Sequence, residues 1–380
     1  MAEVLTNTTD LTKVAAAIRE KGGTSDLLVC PDGFVTAIQA IQTGTAELKI
    51  VVSVTSGAIV TATKGSKVVS GTSINGACTL VVPEEGEWTV SATLDGKTSD
   101  SNIVNVVSSY DTVLEFVSAS TTLNDNSWET IRKISDAGTG ANYWSVGDRK
   151  AITLNGTVGS LTLSNFAMYA FIIGFNHNTS LEGANRIHFQ LGKTALSGGT
   201  DVCLCDSSYS SAVSPAGGFC MNFDGMNTGG WKDSVMRKIV CGAEQGGTTI
   251  SILNVISDGL KSAIKSVTKY TDNTGGGSTA ASNVTATTDY FFLLSEFEVF
   301  GSISYANSNE SSKQAQYAYY SAGNSKVKCN HSETSNAVGW WLRSPGAGYS
   351  DFFVIVYADG TVNDYYTADT SLGFAPGFCV

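Results

Sequence analysis

Three histidines, one pair of glutamates and eight cysteines are the side chains in this 380-residue sequence that could take part in chemistry. His177 sits in the polar loop GFNHNTS, His188 alternates with Ile187 and Phe189 on a predicted strand, and His331 stands apart from both. None lies in the HExxH spacing that brings two imidazoles to one helical face, and neither a GxSxG elbow nor a phosphate-binding loop is present. Each histidine therefore reads as structural. In SEFEVFG, Glu296 and Glu298 are two residues apart, so on a strand they point the same way, and such a pair could shuttle protons. With no partner recognisable nearby, a contact to an arginine or to backbone is the better account.

Other charged or glycine-rich stretches give no more. WSVGDRK (144–150) reads as a turn carrying Asp148, Arg149 and Lys150 between two strands, with Trp144 buried behind it. TDNTGGGSTA (271–280) lacks phosphate-binding spacing and reads as a mobile loop. The cysteines, at 30, 78, 203, 205, 220, 241, 329 and 379, fit no zinc pattern, because CLC lacks both the wider gap and a second pair. They read as buried, reduced thiols acting as small hydrophobes. The Glu-Pro-Asn and Gln-Pro-Asp triplets of calcium-binding lectins are missing, and Asp351, Asp359, Asp364 and Asp369 follow no EF-hand pattern. The expectation is a protein with no catalytic residues, no metal and no cofactor, and hence not an enzyme.

The composition agrees. Apolar residues make up 42% and charged residues only 15%, with 40 glycines, which suits a β-rich, loop-rich extracellular or virion protein better than a helical enzyme. A net charge of -11 argues against a nucleic-acid partner, since phosphate binding needs concentrated Lys and Arg. No stretch approaches the length of a membrane span; FAMYAFIIGF (166–175) is too short. The first residues, MAEVLTNTTDLTKVAAAIREKGG, show no secretory signal, so synthesis in a cytosol is expected.

Three segments follow along the chain. Residues 1–45 read as two short helices. Leu11, Val14, Ala17 and Ile18 share a face of the first, with Thr9 or Asp10 as its cap and Gly22-Gly23 as its stop; Phe34, Ile38 and Ile41 form the stripe of the second. Two such helices cannot build a core alone, so attachment or self-association is their expected use. Residues 46–107 are short alternating runs separated by Gly, Asn and Asp turns, the rhythm of an immunoglobulin-like sandwich with Trp88 as its buried aromatic and a spacer role. Residues 108–380 mix strands with a few helices. SVMRKIVCG, SILNVISDGLKSAIKSV and SSKQAQYAYYSAG read as helices, and DYFFLLSEFEVFG and GWWLRSPG as buried strands or strand edges, giving an α+β domain.

Near the C-terminus, YSDFFVIVYADGTVNDYYTADTSLGF (349–374) is crowded with aromatics yet contains no Lys, Glu, Gln, Met, Trp or Arg. Randomising the two adenines of an asparagine codon AAC or AAT yields codons ending in C or T. Such codons encode Tyr, Phe, Asp, Ser, Thr, Ile and Leu, among others, but never Lys, Glu, Gln, Met, Trp or a stop. The stretch obeys that restriction throughout.

With its surroundings, GWWLRSPGAGYSDFF…ADGTVN…TSLGFAPGFCV, the stretch resembles the variable proteins of diversity-generating retroelements. More closely it resembles phage tail-associated proteins ending in this module, a likeness extending to WSVGDRK, GFNHNTS, NRIHFQLGK, SVTKYTDNTGGGS, FFLLSEFEVFG and KQAQYAYY, and so to most of residues 108–380. The first 43 residues resemble an N-terminal segment common in the same phage proteins. The resemblance implies a C-type lectin fold of the formylglycine-generating-enzyme subtype, with variable side chains on a rigid scaffold. Where that family carries asparagine, this chain has Tyr349, Asp351, Phe352, Ile355, Tyr357, Asp364, Tyr365, Tyr366, Thr367, Asp369, Thr370 and Leu372, which become the candidate ligand-binding residues. Phe353, Val354 and Val356 match apolar positions expected to face the core, and Phe374 is ambiguous. Tyrosine among Ser, Thr and Asp is also the palette of antibody binding loops.

Trp340, Trp341 and Arg343 are scaffold in this view, with Arg343 paired to a buried acid, either Asp359 or a glutamate of SEFE. The implied protein is a phage tail or fibre-tip adhesin made in a bacterial cytoplasm. Its expected partners are a host-surface receptor, protein or glycan, and other tail proteins, with self-association open. Two rivals are a fixed-sequence bacterial surface carbohydrate or adhesion module, and an oxidase related to formylglycine-generating enzymes, which would need a reactive cysteine pair.

Overall fold

The computed structural model describes residues 8–21, 35, 37–38, 47–113, 119–206, 209, 218–243 and 250–380. The chain is mostly β-sheet, 38% strand against 21% helix, with several separate sheets, a multidomain-like arrangement in keeping with its composition. It divides into two compact units, residues 1–92 with 101–114 and residues 93–100 with 115–380. Among the described residues no helix is long and apolar enough to cross a membrane.

In the first unit, helix α1 (Thr8–Glu20) buries Ala15 and Ile18, whereas Val14 is half exposed and Ala17 exposed, so its apolar stripe is rotated from the expected one. The second helix expected in residues 1–45 lies largely outside the described residues. Strands β1 (Lys49–Ser53), β2 (Ile59–Lys64), β3 (Lys67–Thr72), β4 (Ala77–Val81), β5 (Gly86–Leu94), β6 (Lys97–Thr98), β7 (Asn102–Val106) and β8 (Ser109–Val113) follow in order. One sheet runs β4-β1-β8, with β1 and β8 parallel; the other runs β3-β2-β5-β6, with β7 also on β5. Alternation builds the core, since β5 turns Trp88, Val90 and Ala92 inward and leaves Glu87 and Thr89 outside. The indole of Trp88 is fully buried and donates to the Glu84 carbonyl at 3.2 Å. The tip of the β5-β6 hairpin, residues 93–100, counts with the second unit; its Asp95-Gly96 turn has positive φ at both residues (51° and 75°), the geometry whose twist suits a tight hairpin.

The second unit is built on a five-stranded antiparallel sheet ordered β15-β21-β11-β10-β9. These strands are β9 (Arg149–Val158), β10 (Leu161–Phe175), β11 (Ile187–Lys193), β15 (Phe291–Phe292) and β21 (Gly377–Cys379). Every residue of β11 is buried, which fits a strand covered on both faces. Helix α2 (Trp128–Asp136), capped by the Ser127 hydroxyl on the Thr130 N–H, packs the Trp128 ring edge-on against Phe189 and Phe378 at 5.6 and 5.9 Å. The last strand thus joins distant parts of the chain. Beside this sheet lie β12 (Val202–Cys203) with β16 (Lys328–Asn330) and β17 (Glu333–Val338), the hairpin β13 (Val267–Asp272) with β14 (Val284–Asp289), and a sheet of β18 (Trp340–Pro345), β19 (Phe353–Val356) and β20 (Val362–Asn363).

Several local expectations change. SEFEVFG is helix α4 (Glu296–Phe300), following α3 (Asp258–Ala263), and not a strand. The Ser295 hydroxyl accepts from the Glu298 N–H and the Glu298 carboxylate accepts from the Ser295 N–H, a reciprocal cap that outweighs the β-formers in the sequence. The three stretches expected as helices are shorter than expected: SVMRKIVCG holds one wide turn at Met236–Val240, SILNVISDGLKSAIKSV a tight turn at Ile252–Asn254 followed by α3, and SSKQAQYAYYSAG the single turn Ala318–Ser321. Arg149 and Lys150 belong to β9, while Asp148 makes the turn by accepting from the Ser145 N–H, with Trp144 buried behind as expected. Loop 271–280 is tied down and not mobile, because Asp272 accepts from the Thr274 and Gly275 N–H groups and Asn227 accepts from the Gly276 N–H.

Candidate binding surface

The candidate surface grows from β18. All six residues of WWLRSP are buried, so this strand faces no solvent. Trp340 donates its indole N–H to the Lys326 carbonyl and Trp341 to the Phe219 carbonyl, both at 2.9 Å, which satisfies the one polar group each carries inside. Arg343, fully buried, makes a two-pronged contact to the Glu298 carboxylate, with Nη2 to Oε1 at 2.9 Å and Nη1 to Oε2. Its remaining donors reach the Leu293 carbonyl and the Thr271 hydroxyl at 2.8 Å each. Of the acids expected for Arg343, Glu298 is the partner, and Asp359 instead accepts from Thr361 at the surface.

A second cation shares the same acid. Lys269 Nζ lies 3.0 Å from Glu298 Oε1, 3.0 Å from Glu182 Oε2 and 2.7 Å from the Tyr317 hydroxyl. Burial opposes ionisation of Glu298, but Arg343 and Lys269 outweigh it and hold the carboxyl well below the usual range. Burial likewise pushes Glu310 up to about 7, against the hydrogen bonds it accepts from the Asp272 N–H, Ser344 and Gln314.

Glu182 completes a buried group with His177 and His188 whose donor atoms lie within 4.8 Å of one another, a spacing suited to a metal ion. His177 Nε2 donates to the Ala315 carbonyl at 2.8 Å and its Nδ1 meets Glu182 at 3.0 Å. The Lys269 ammonium already supplies the positive charge beside Glu182, so the cluster reads as an ion-pair network holding β11, β13 and the Tyr317 ring together. Burial, with Lys269 and His177 adding, pushes His188 well below its ordinary range. His188 Nδ1 also lies 3.2 Å from Cys379 Sγ, but burial pushes that thiol up to about 12. All seven described cysteines are free thiols, six of them buried and Cys329 partly so; Cys30 lies outside the described residues.

On this buried floor the residues of 349–374 separate by depth. Tyr349, Tyr357 and Tyr365 are exposed, at 54%, 40% and 77%, and Asp351, Phe352, Asp364, Thr367 and Asp369 are half-buried. Phe353, Val354 and Val356 are fully buried, as expected, and so is Phe374. Ile355, Thr370 and Leu372, expected at the ligand face, are buried too. Ile355 lies within the β18-β19-β20 sheet, opposite Trp341 on one side and Asn363 on the other, so Ile355 and Thr370 support the surface and do not form it, while Leu372 reaches it only in the wall of a pocket. Tyr366 is 9% exposed, packed against its neighbours.

The aromatics form two groups. Tyr349 and Phe352 have ring centres 5.3 Å apart; Tyr366 lies 6.5 Å from Tyr357 in near-parallel planes and 6.0 Å from Tyr365 edge-on. Segments 349–352 and 364–370 are stitched by a bridge between Phe352 and Thr367 and by the Ala368 N–H donating to the Asp351 carbonyl at 2.8 Å. Thr367 donates to Asp369, and burial with the nearby Asp351 charge raises Asp364.

Asn227 was not foreseen from the sequence. Fully buried, it donates to the Tyr349 and Phe352 carbonyls at 2.9 and 2.8 Å, accepts from the Gly276 N–H at 2.7 Å, and gives its own N–H to the Ser350 carbonyl at 2.7 Å. One side chain therefore clamps the Tyr349–Phe352 turn to the glycine loop. Gly275 is needed beside it, since a Cβ there would sit 2.0 Å from the Asn227 carbonyl oxygen.

Residues 221–380 match the model of a domain of unknown function, DUF6273, a region that takes in Asn227, Lys269, Glu298, Arg343 and the whole of 349–374. No curated protein matches the chain.

Proposed function

We propose that this chain is a phage tail or fibre-tip protein that recognises a host-surface receptor through a diversified surface, without turnover. In this reading residues 1–45 attach or oligomerise, residues 46–107 together with strand β8, which pairs with β1, are an immunoglobulin-like spacer, and the chain from there to residue 380 is a C-type lectin fold of the formylglycine-generating-enzyme subtype. One observation carries it. At positions open to a mutated asparagine codon stand the exposed Tyr349, Tyr357 and Tyr365, while Phe353, Val354 and Val356 between them are buried. Three large rings left in water by a chain able to bury the residues between them are what a binding face needs and a core does not. The clamp at Asn227 and the ion pair under β18 favour the same reading, because a rigid base lets surface side chains change without moving the backbone. The Cys379 thiol, raised and enclosed, is the opposite of the lowered, reachable thiol that the oxidase alternative requires.

The test is adhesion of the purified chain to host cells, compared with a variant carrying Tyr349→Ala, Tyr357→Ala and Tyr365→Ala. The variant should keep its thermal midpoint and lose binding by at least about tenfold, as truncation of anchor aromatics does. Undiminished binding by a folded variant would overturn the assignment of this face.

A further inference from the structure

We infer that a pocket between Tyr357, Tyr366 and β17 binds one neutral sugar ring, which rests on the reading that this face binds a ligand. The cavity holds about 240 Å³ and is lined by Tyr209, Asn336, Tyr357, Tyr366 and Leu372, with small residues between them. It is below the roughly 300–1,000 Å³ of drug-sized sites, so it suits one ring and not an extended chain. In a protein of net charge -11, none of the described residues that line it is charged, which disfavours ionic ligands of either sign.

What the wall does offer is aromatic faces with hydroxyls at their ends. Tyr357 and Tyr366 lie in planes 13° apart, their ring centres 6.5 Å from each other. Burial pushes the Tyr209 hydroxyl up to about 12, so it stays a neutral donor and acceptor. Asn336, exposed at the rim, adds an amide with both donor and acceptor atoms. A pyranose has the matching anatomy: an apolar C–H face to lie on a phenol ring, and equatorial hydroxyls for phenols and amide. A protein side-chain anchor would ask for a mainly apolar pocket, and among the described lining residues only Leu372 and two alanines are apolar besides the rings. Asn336 and Tyr209 lie outside 349–374, so the pocket joins an unvaried wall to a variable one.

The experiment is saturation-transfer NMR on the full chain with the methyl glycosides of glucose, galactose, mannose, fucose and N-acetylglucosamine, and with sialic acid as a charged probe. At least one neutral glycoside should receive saturation and sialic acid none. Tyr357→Ala should abolish the signal, and Tyr357→Phe and Asn336→Ala should each weaken it about fivefold or more, with the melting profile unchanged. Silence from every neutral glycoside, a response only to sialic acid, or transfer indifferent to all three substitutions would overturn the pocket. If cells still bind and the triple tyrosine variant still fails while the glycosides are silent, the pocket fails alone and the binding face stands.

Discussion

Neutralising Glu298 as Glu298→Gln would leave two buried cations facing one buried acid. In the native network Arg343 and Lys269 are balanced by Glu298 and Glu182, all within the ion-pair distances given above. The amide keeps the shape and can still accept from the Ser295 N–H, so the change isolates charge from capping. Breaking a buried pair by removing one partner costs about 3–5 kcal/mol, because the other charge remains desolvated. Arg343→Met should cost a similar amount, since it leaves Lys269 against two acids. The double variant restores balance, Lys269 to Glu182, so its loss should fall short of the sum by at least about 2 kcal/mol, beyond the ~0.5 kcal/mol within which independent sites add. Urea unfolding followed by tryptophan fluorescence reads this unit selectively: Trp128, Trp144, Trp231, Trp340 and Trp341 lie in it and only Trp88 in the other. The sign with pH is also set. Glu298 has its folded value held down, so its stabilisation is present above the ordinary carboxylate range and lost as pH falls below it, and Glu298→Gln should flatten that acid limb. Single losses under about 1 kcal/mol, or strict additivity in the double, would refute the account of the network.

The remaining expectations concern stability and presentation. Glu310 has a raised folded value, so stability should decline as pH rises from about 4.5 toward 7, on the order of 3 kcal/mol, and Glu310→Gln should remove that slope in urea titrations at stepped pH. Asn227→Ala leaves the Tyr349 and Phe352 carbonyls and the Gly276 N–H without their partner; at about 1–3 kcal/mol for each buried group left unsatisfied, hydrogen exchange at residues 346–352 and 275–277 should accelerate by at least about tenfold. Tyr365→Ala, at a position 77% exposed, should shift stability by no more than about 0.5 kcal/mol, whereas Ile355→Ala, fully buried in β19, should cost about 2–5 kcal/mol by chemical denaturation.

How far these features could be read beforehand depends on whether the signal was local. Composition and the turn rhythm pointed to sheets, and Trp88 was recognisable as core because GEWTVSATL alternates with period two. The buried roles of Trp340, Trp341 and Arg343 followed from a resemblance, and Glu298 was among the acids considered for Arg343, with Asp359 and Glu296. Its element was misread as a strand, although S-x-x-E at Ser295 and Glu298 is a capping-box signature that could have given the helix. Depth within 349–374 was less accessible. Phe353, Val354, Ile355 and Val356 are all buried, so β19 shows no alternation from which to separate Ile355 from an exposed neighbour. Asn227 gave no signal at all, because its partners lie about 50 and 120 residues away and a lone asparagine between glycines reads as an ordinary turn.

The central claim, a surface varied on a constant floor, is tested most directly by sequencing the 3′ end of this gene in many sibling isolates, with a search nearby for a near-copy repeat and a reverse transcriptase. Substitutions should concentrate at Tyr349, Asp351, Phe352, Tyr357, Asp364, Tyr365, Tyr366, Thr367 and Asp369. They should be few and conservative at the buried Ile355, Thr370 and Leu372, and absent at Asn227, Glu298, Trp340, Trp341 and Arg343. Uniform siblings without a repeat, or changes spread evenly over the domain, would contradict it and leave a binding surface of fixed sequence.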